Sequence, residues 1–303
     1  MPSSITHALI AEEAAKRLPE QLQTLISEAP EAYFLGAQGP DMFFFAKKAN
    51  KQEGNFGKYL HRNAVYELFC AFAKALPTLS GQERTVAEAY CLGYVTHYCA
   101  DVAFHPFVYR YLEQNALKKR EHQRMENDWD VSFARKLRGR EAEHYPFPDV
   151  KACKNGALLA LWRSASGALG RTPMDEKTLY GGIDNFAWYL AFFHKKCYTS
   201  QKHWRRFDRL FHIRALSCLY PAKEPDRRIL SGEAFERAAN ADPALPPVAS
   251  ADDLFERAVS ESAYKMLLFR DAVGGAVLPE EQFDRHLLTG KHMKAQQPSQ
   301  DRK

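Results

Sequence analysis

Gly93-Tyr94-Val95-Thr96-His97-Tyr98-Cys99-Ala100-Asp101-Val102-Ala103-Phe104-His105-Pro106 decides how this chain is read. On a helix of 3.6 residues per turn, positions i, i+4 and i+8 share one stripe. His97, Asp101 and His105 therefore project the same way from a segment that is otherwise Tyr, Val, Cys, Ala and Phe. A carboxylate buried between two imidazoles needs compensation, and a bound cation supplies it. In a chain of this composition about 0.02 such triples arise by chance, so the triple is informative. A buried hydrogen-bond network without metal is the competing reading. Pro106 is expected to end or kink the helix just after the last candidate ligand.

Outward from this stretch the periodicity stays helical. It predicts helices over about 7–17, 20–28, 59–76, 82–105, 108–138, 154–169, 176–199, 203–219, 251–273 and 280–288. Ser80-Gly81-Gln82-Glu83 reads as a capping box, and Ser250-Ala251-Asp252-Asp253 as another helix start. Residues 36–58, 139–150 and 220–250, rich in Gly, Pro and polar residues, are expected to be loops. There are no alternating strands between hairpin turns and no βα alternation. The expected fold is an all-α, multi-helix bundle: one domain over 1–290, and a polar, disordered tail over 291–303.

Composition supports a folded, soluble chain. Of 303 residues, 46% are apolar and 26% charged, which excludes a disordered protein. The longest apolar run, Phe186 to Phe193, is far short of the ~20 residues that cross a bilayer. The start, Met1-Pro2-Ser3-Ser4-Ile5-Thr6-His7, has no basic n-region, so the expected compartment is cytoplasmic and the six cysteines are expected to be reduced. The net charge of +5 tolerates an anionic partner without demanding one.

Further candidate ligands flank the triple. His122 and Glu126 form a second His-x-x-x-acid pair, and Asp41, His61 and His7 stand upstream. Zinc takes His and carboxylate ligands from several segments, and five segments here offer them. Singly, each has a plainer reading: a helix-terminal or core histidine, a solvated pair, a turn aspartate. Phe43-Phe44-Phe45 beside Asp41 reads first as core packing.

In this order, His7, Gly36-Ala37-Gln38-Gly39-Pro40-Asp41, Leu60-His61, His97-x3-Asp101-x3-His105-Pro106 and His122-x3-Glu126 resemble the bacterial zinc-dependent phospholipase C family. The specific motifs cover about residues 1–140; the rest, including Phe283 to Gly290, is a general helical similarity. The resemblance implies a helical bundle whose cleft holds zinc and hydrolyses phosphodiesters. Carried over residue by residue, Asp41, His61, His97 and Asp101 hold one zinc, and His105, His122 and Glu126 a second. Asp101 bridges to a third with His7 and the N-terminal amine, and Asp41 doubles as the general base. The chain departs from the secreted members at its start, Met1-Pro2, where they present a processed Trp. The implied partners are a phosphodiester substrate, phospholipid among them, and a peripheral membrane contact. Single-strand nucleases resemble the same plan, and a non-catalytic zinc protein is the third reading. The basic, aromatic-interleaved segment 195–214 would serve nucleic acid, or read simply as a solvated helix face.

Overall fold

The structure, a computed structural model, describes residues 4–46, 54–192, 206, 210, 224–240 and 246–293. Its helices are α1 (Ser4–Ala15), α2 (Glu20–Glu28), α3 (Pro30–Ala37), α4 (Phe56–Leu60), α5 (Val65–Ala75) and α6 (Gly81–Gln114). They continue as α7 (Glu121–Arg138), α8 (Gly156–Ala168), α9 (Glu176–Tyr189), α10 (Glu233–Ala239), α11 (Ala251–Val273) and α12 (Glu280–Phe283). Among the described residues there is no strand, only the isolated bridges Ser231–Ser250 and Arg285–His292. The fold is all-α.

The bundle is built around α6. Nearly every residue of α6 from Ala87 to Leu112 is buried, as a helix apolar on all sides requires. Helices α3, α11, α10, α8, α1 and α7 all pack on it, α3 most extensively. That α3 contact is backbone against backbone. A Cβ on Gly36 would stand 2.0 Å from the Tyr90 carbonyl oxygen, and one on Gly93 2.1 Å from that of Tyr33. Only glycine at both positions lets the two helices cross this closely. On the α8 side, Trp162 packs edge-on against Phe43 and Phe72 and donates from Nε1 to the Tyr90 hydroxyl at 3.1 Å. The Phe43 ring is therefore core, as expected. Cys70, Cys91, Cys99 and Cys153 are free thiols.

Several boundaries differ from the sequence reading. Pro106 neither ends α6 nor marks its last turn; the helix runs on to Gln114. Residues on both sides of Pro106 are buried, and their packing outweighs the one hydrogen bond its missing N–H forfeits. The expected helix over 108–138 is two helices. Ala116 takes a left-handed φ of 50°, and Leu117 N–H closes on the Leu112 carbonyl at 2.9 Å, so the chain reverses into α7. That reversal brings His122 and Glu126 back against His105. Helix α3 and the 3-10 turn Gly39–Phe44 stand where the sequence shows little periodicity, and α10 lies within an expected loop.

Ser80 precedes α6 but makes no side-chain cap, whereas Ser250 and Asp253 form a full capping box at α11. The final helix is only Glu280–Phe283; Lys291, His292 and Met293 then fold back, with Met293 N–H on the Asp284 carbonyl at 2.8 Å. The segment 195–214 lies outside the described residues, apart from the exposed Arg206 and Leu210. No helix among the described residues is long and apolar enough to cross a membrane.

Candidate metal centre

Five elements deliver the candidate ligands. Helix α1 brings His7, the 3-10 turn brings Asp41, and the C-terminal cap of α4 is His61. Helix α6 carries His97, Asp101 and His105, and α7 carries His122 and Glu126. All except His122 are buried. Asp101 is the hub. Its Oδ1 stands 3.5 Å from His7 Nε2, and its Oδ2 stands 3.2 Å from His97 Nε2, 3.6 Å from His61 Nε2 and 3.5 Å from His105 Nδ1. Asp41 Oδ1 lies 3.1 Å from His61 Nε2. Glu126 Oε1 lies 2.7 Å from His122 Nε2 and 3.4 Å from His105 Nε2.

The structure brings all eight residues together, in three groups. His7, His97 and Asp101 form one, Asp41, His61 and His97 another, and His105, His122 and Glu126 the third; in each, one atom per residue lies within 4.8 Å of the others. His97 serves two groups, a sharing that its ring contacts allow: it stacks on His7 at 4.5 Å and meets His61 edge-on at 5.8 Å. A small cavity of about 20 Å³ opens between His7, Asp101, His105 and Glu126. The chain's N-terminal amine lies outside the described residues.

Backbone carbonyls set the ring orientations. His61 Nδ1 donates to the Gly57 carbonyl at 2.7 Å, which turns Nε2 toward Asp41. His105 Nδ1 donates to the Leu287 carbonyl at 3.0 Å, which leaves Nε2 facing Glu126. Such second partners fix the tautomer of a metal-ligating histidine. Gly39, at φ +54°, makes room for His97: a Cβ there would lie 2.2 Å from the ring. Phe44 tilts over His61 with ring centroids 5.0 Å apart.

The charges are tightly interdependent. Burial alone would raise the Asp101 pKa, but His105, His97 and His7 outweigh it and hold the carboxyl well below its ordinary range. Burial would likewise raise Glu126, and His122 and His105 hold it low. Burial lowers His97. For His105 burial is overcome by Asp101 and Glu126, which push its pKa up to about 9.

The residues fit zinc. Within this centre His7 Nδ1, Asp41 Oδ2, both ring nitrogens of His97, Asp101 Oδ2 and Glu126 Oε2 are buried without a hydrogen-bond partner. Each such atom costs about 1–3 kcal/mol if nothing compensates it. Five imidazoles and three carboxylates form the nitrogen and oxygen donor set that zinc accepts.

Two contributors escaped the sequence reading. Asp130, fully buried on α7, accepts the N–H groups of Ile5 at 3.2 Å and Thr6 at 2.7 Å, and the Thr6 hydroxyl at 2.8 Å. It thereby anchors the start of α1 and with it His7. Its signal was present, since Asp130 extends the His122–Glu126 stripe by four residues. The Leu287 carbonyl is a backbone atom and left no signal.

The zinc dependent phospholipase C family matches residues 6–207, which contain all eight candidate ligands and Asp130. No curated protein and no solved structure shows a significant match. Matched over about two thirds of its length, the chain belongs to the zinc dependent phospholipase C family.

Proposed function

We propose that this chain is a zinc-dependent phosphodiester hydrolase of phospholipase C type, acting on phospholipid or another small phosphodiester. Residues to about 290 act as one domain. Asp41, His61, His97 and Asp101 would hold one zinc, His105, His122 and Glu126 a second, and His7 with Asp101 would contribute to a third. The observation that carries the reading is His97, which belongs to two of the three ligand groups, in a centre where six buried nitrogen and oxygen atoms lack a hydrogen-bond partner. Zinc in such a cluster supplies positive charge to phosphodiester oxygens and acidifies water.

The chain's own residues do the rest. Asp41 Oδ2, the oxygen of that carboxylate without a hydrogen-bond partner, takes the proton of the water that attacks phosphorus. The bond from phosphorus to the leaving oxygen then breaks, and that oxygen takes the proton from Asp41 and departs as the alcohol. His61, turned by its bond to Gly57, sets Nε2 beside the other oxygen of that carboxylate, where the two would meet one ion.

Assaying the zinc-loaded protein beside Asp41→Asn on phosphatidylcholine, a chromogenic phosphodiester and single-stranded DNA tests this. Lipid or chromogen cleavage that the variant loses is the expected result. Cleavage of DNA alone, with a steep salt dependence, would make the chain a nuclease. Full zinc occupancy without turnover on any of the three would leave a zinc-binding protein.

A further inference from the structure

A cavity of about 350 Å³ lies among α6, α10, α11 and the segment that follows α12, within the size range of small-molecule sites. It shares no lining residue with the small cavity at the metal centre. Val102, Pro106 and Arg110 of α6 line it, and at about 100° per residue they face away from the stripe that carries His97, Asp101 and His105.

The lining is divided by chemistry. Val102, Pro106, Phe107 and Leu254 supply an apolar floor. Arg110, Arg257, Lys265 and Arg285 supply cations, against the carboxylates Glu261 and Glu281. Lys265 is buried and paired with Glu261. Arg257 and Arg285 are different. Arg257 donates to the Pro246 carbonyl, and Arg285 Nη1 to the Gly290 carbonyl at 3.0 Å. Neither guanidinium forms an ion pair with a carboxylate among the described residues. Burial draws the Arg257 pKa down despite the field of Glu261 and Asp253, so an anion at this wall would relieve a standing cost.

We propose that this cavity binds a phosphate monoester, with its oxyanion on Arg257 and Arg285 and its apolar substituent on the Pro106–Phe107–Leu254 floor. Two guanidinium groups without a carboxylate partner suit a phosphate dianion, because their forks pair with such oxygens through two parallel hydrogen bonds. The apolar floor excludes bare phosphate as the best ligand. The phosphomonoester belongs either to a small soluble ester or to the headgroup of phosphatidic acid in a membrane. Binding in this cavity is independent of hydrolysis at the metal centre.

Calorimetric titration of the zinc-loaded full chain with hexyl phosphate and with inorganic phosphate reads the site directly. Cosedimentation with phosphatidylcholine vesicles, with and without phosphatidic acid, reads the lipid source. Hexyl phosphate should bind about tenfold more tightly than inorganic phosphate, for roughly 1.4 kcal/mol of buried hydrocarbon. Arg257→Gln should weaken binding at least about tenfold with zinc content unchanged, Arg285→Gln should weaken it as much, and Arg257→Lys and Arg285→Lys by less. Losses seen with hexyl phosphate support a soluble ester, and losses seen only with phosphatidic acid vesicles support a lipid headgroup. Unaltered affinity in the folded glutamine variants assigns the ester to the zinc centre and overturns the proposal. So does an absence of binding to hexyl phosphate and to phosphatidic acid vesicles alike.

Discussion

His105 Nδ1 lies 3.0 Å from the carbonyl oxygen of Leu287, a residue 182 positions away in the chain. The ligand-bearing core of the family match is thus completed by a C-terminal segment beyond residue 207. Tyr98 ties that segment down: its hydroxyl donates to the Gln282 carbonyl at 3.1 Å and accepts the Arg285 N–H at 3.1 Å. Tyr98→Phe removes both bonds and should cost about 1–2 kcal/mol in urea unfolding. Zinc at the His105 group should be held about tenfold less tightly in chelator competition, as expected when an outer partner of a ligand is disturbed. Unchanged zinc retention in the variant would show that the Leu287 contact does not support the site.

Zinc uptake by the metal-free protein should release protons. The His105 pKa of about 9 in the absence of metal means that at pH 7.5 this ring carries a proton it must lose to become a ligand. Affinity should therefore climb with pH and level off above about 9. Stability of the metal-free form moves the other way. A folded pKa raised above the unfolded value of about 6.5 contributes stability in full below 6.5, and that contribution is lost as pH rises to about 9. Calorimetry in buffers of different ionisation enthalpy counts the protons, and proton-neutral uptake at pH 7.5 would contradict the assignment.

Asp130→Asn should loosen α1. The buried carboxylate accepts three hydrogen bonds at a helix N-terminus, and its charge complements the helix dipole. Loss of that charge should lower the unfolding free energy by about 1.5–3 kcal/mol. Because His7 sits one residue beyond Thr6, zinc loss should fall first on the His7 group. Elemental analysis of folded variant protein reads this.

Gly93→Ala should be worse than its single added methyl suggests. The new Cβ would meet backbone atoms of α3, the Tyr33 carbonyl and the Ala37 N–H group, and neither can swing aside. We expect a loss of about 3 kcal/mol or more. Gly167→Ala on α8 meets nothing within 4 Å and should instead gain about 0.5–1 kcal/mol. Paired urea titrations compare the two.

The all-helical class and the stripes of candidate ligands on α6 and α7 were legible along the chain because both depend on local spacing. A 3.6-residue period needs only neighbours within one helix, so His97, Asp101 and His105 declare a shared face before any partner is known. The same holds for His122 with Glu126 and for the capping box at Ser250. The meeting of these stripes is another matter. The turn at Ala116, the Gly36–Gly93 crossing and the continuation of α6 through Pro106 all depend on packing between distant segments, which outweighs local preference. Which ligands share His97, how Asp130 anchors His7, and why Leu287 holds His105 follow from that packing alone, since atoms more than a hundred residues apart leave no periodic trace in the chain.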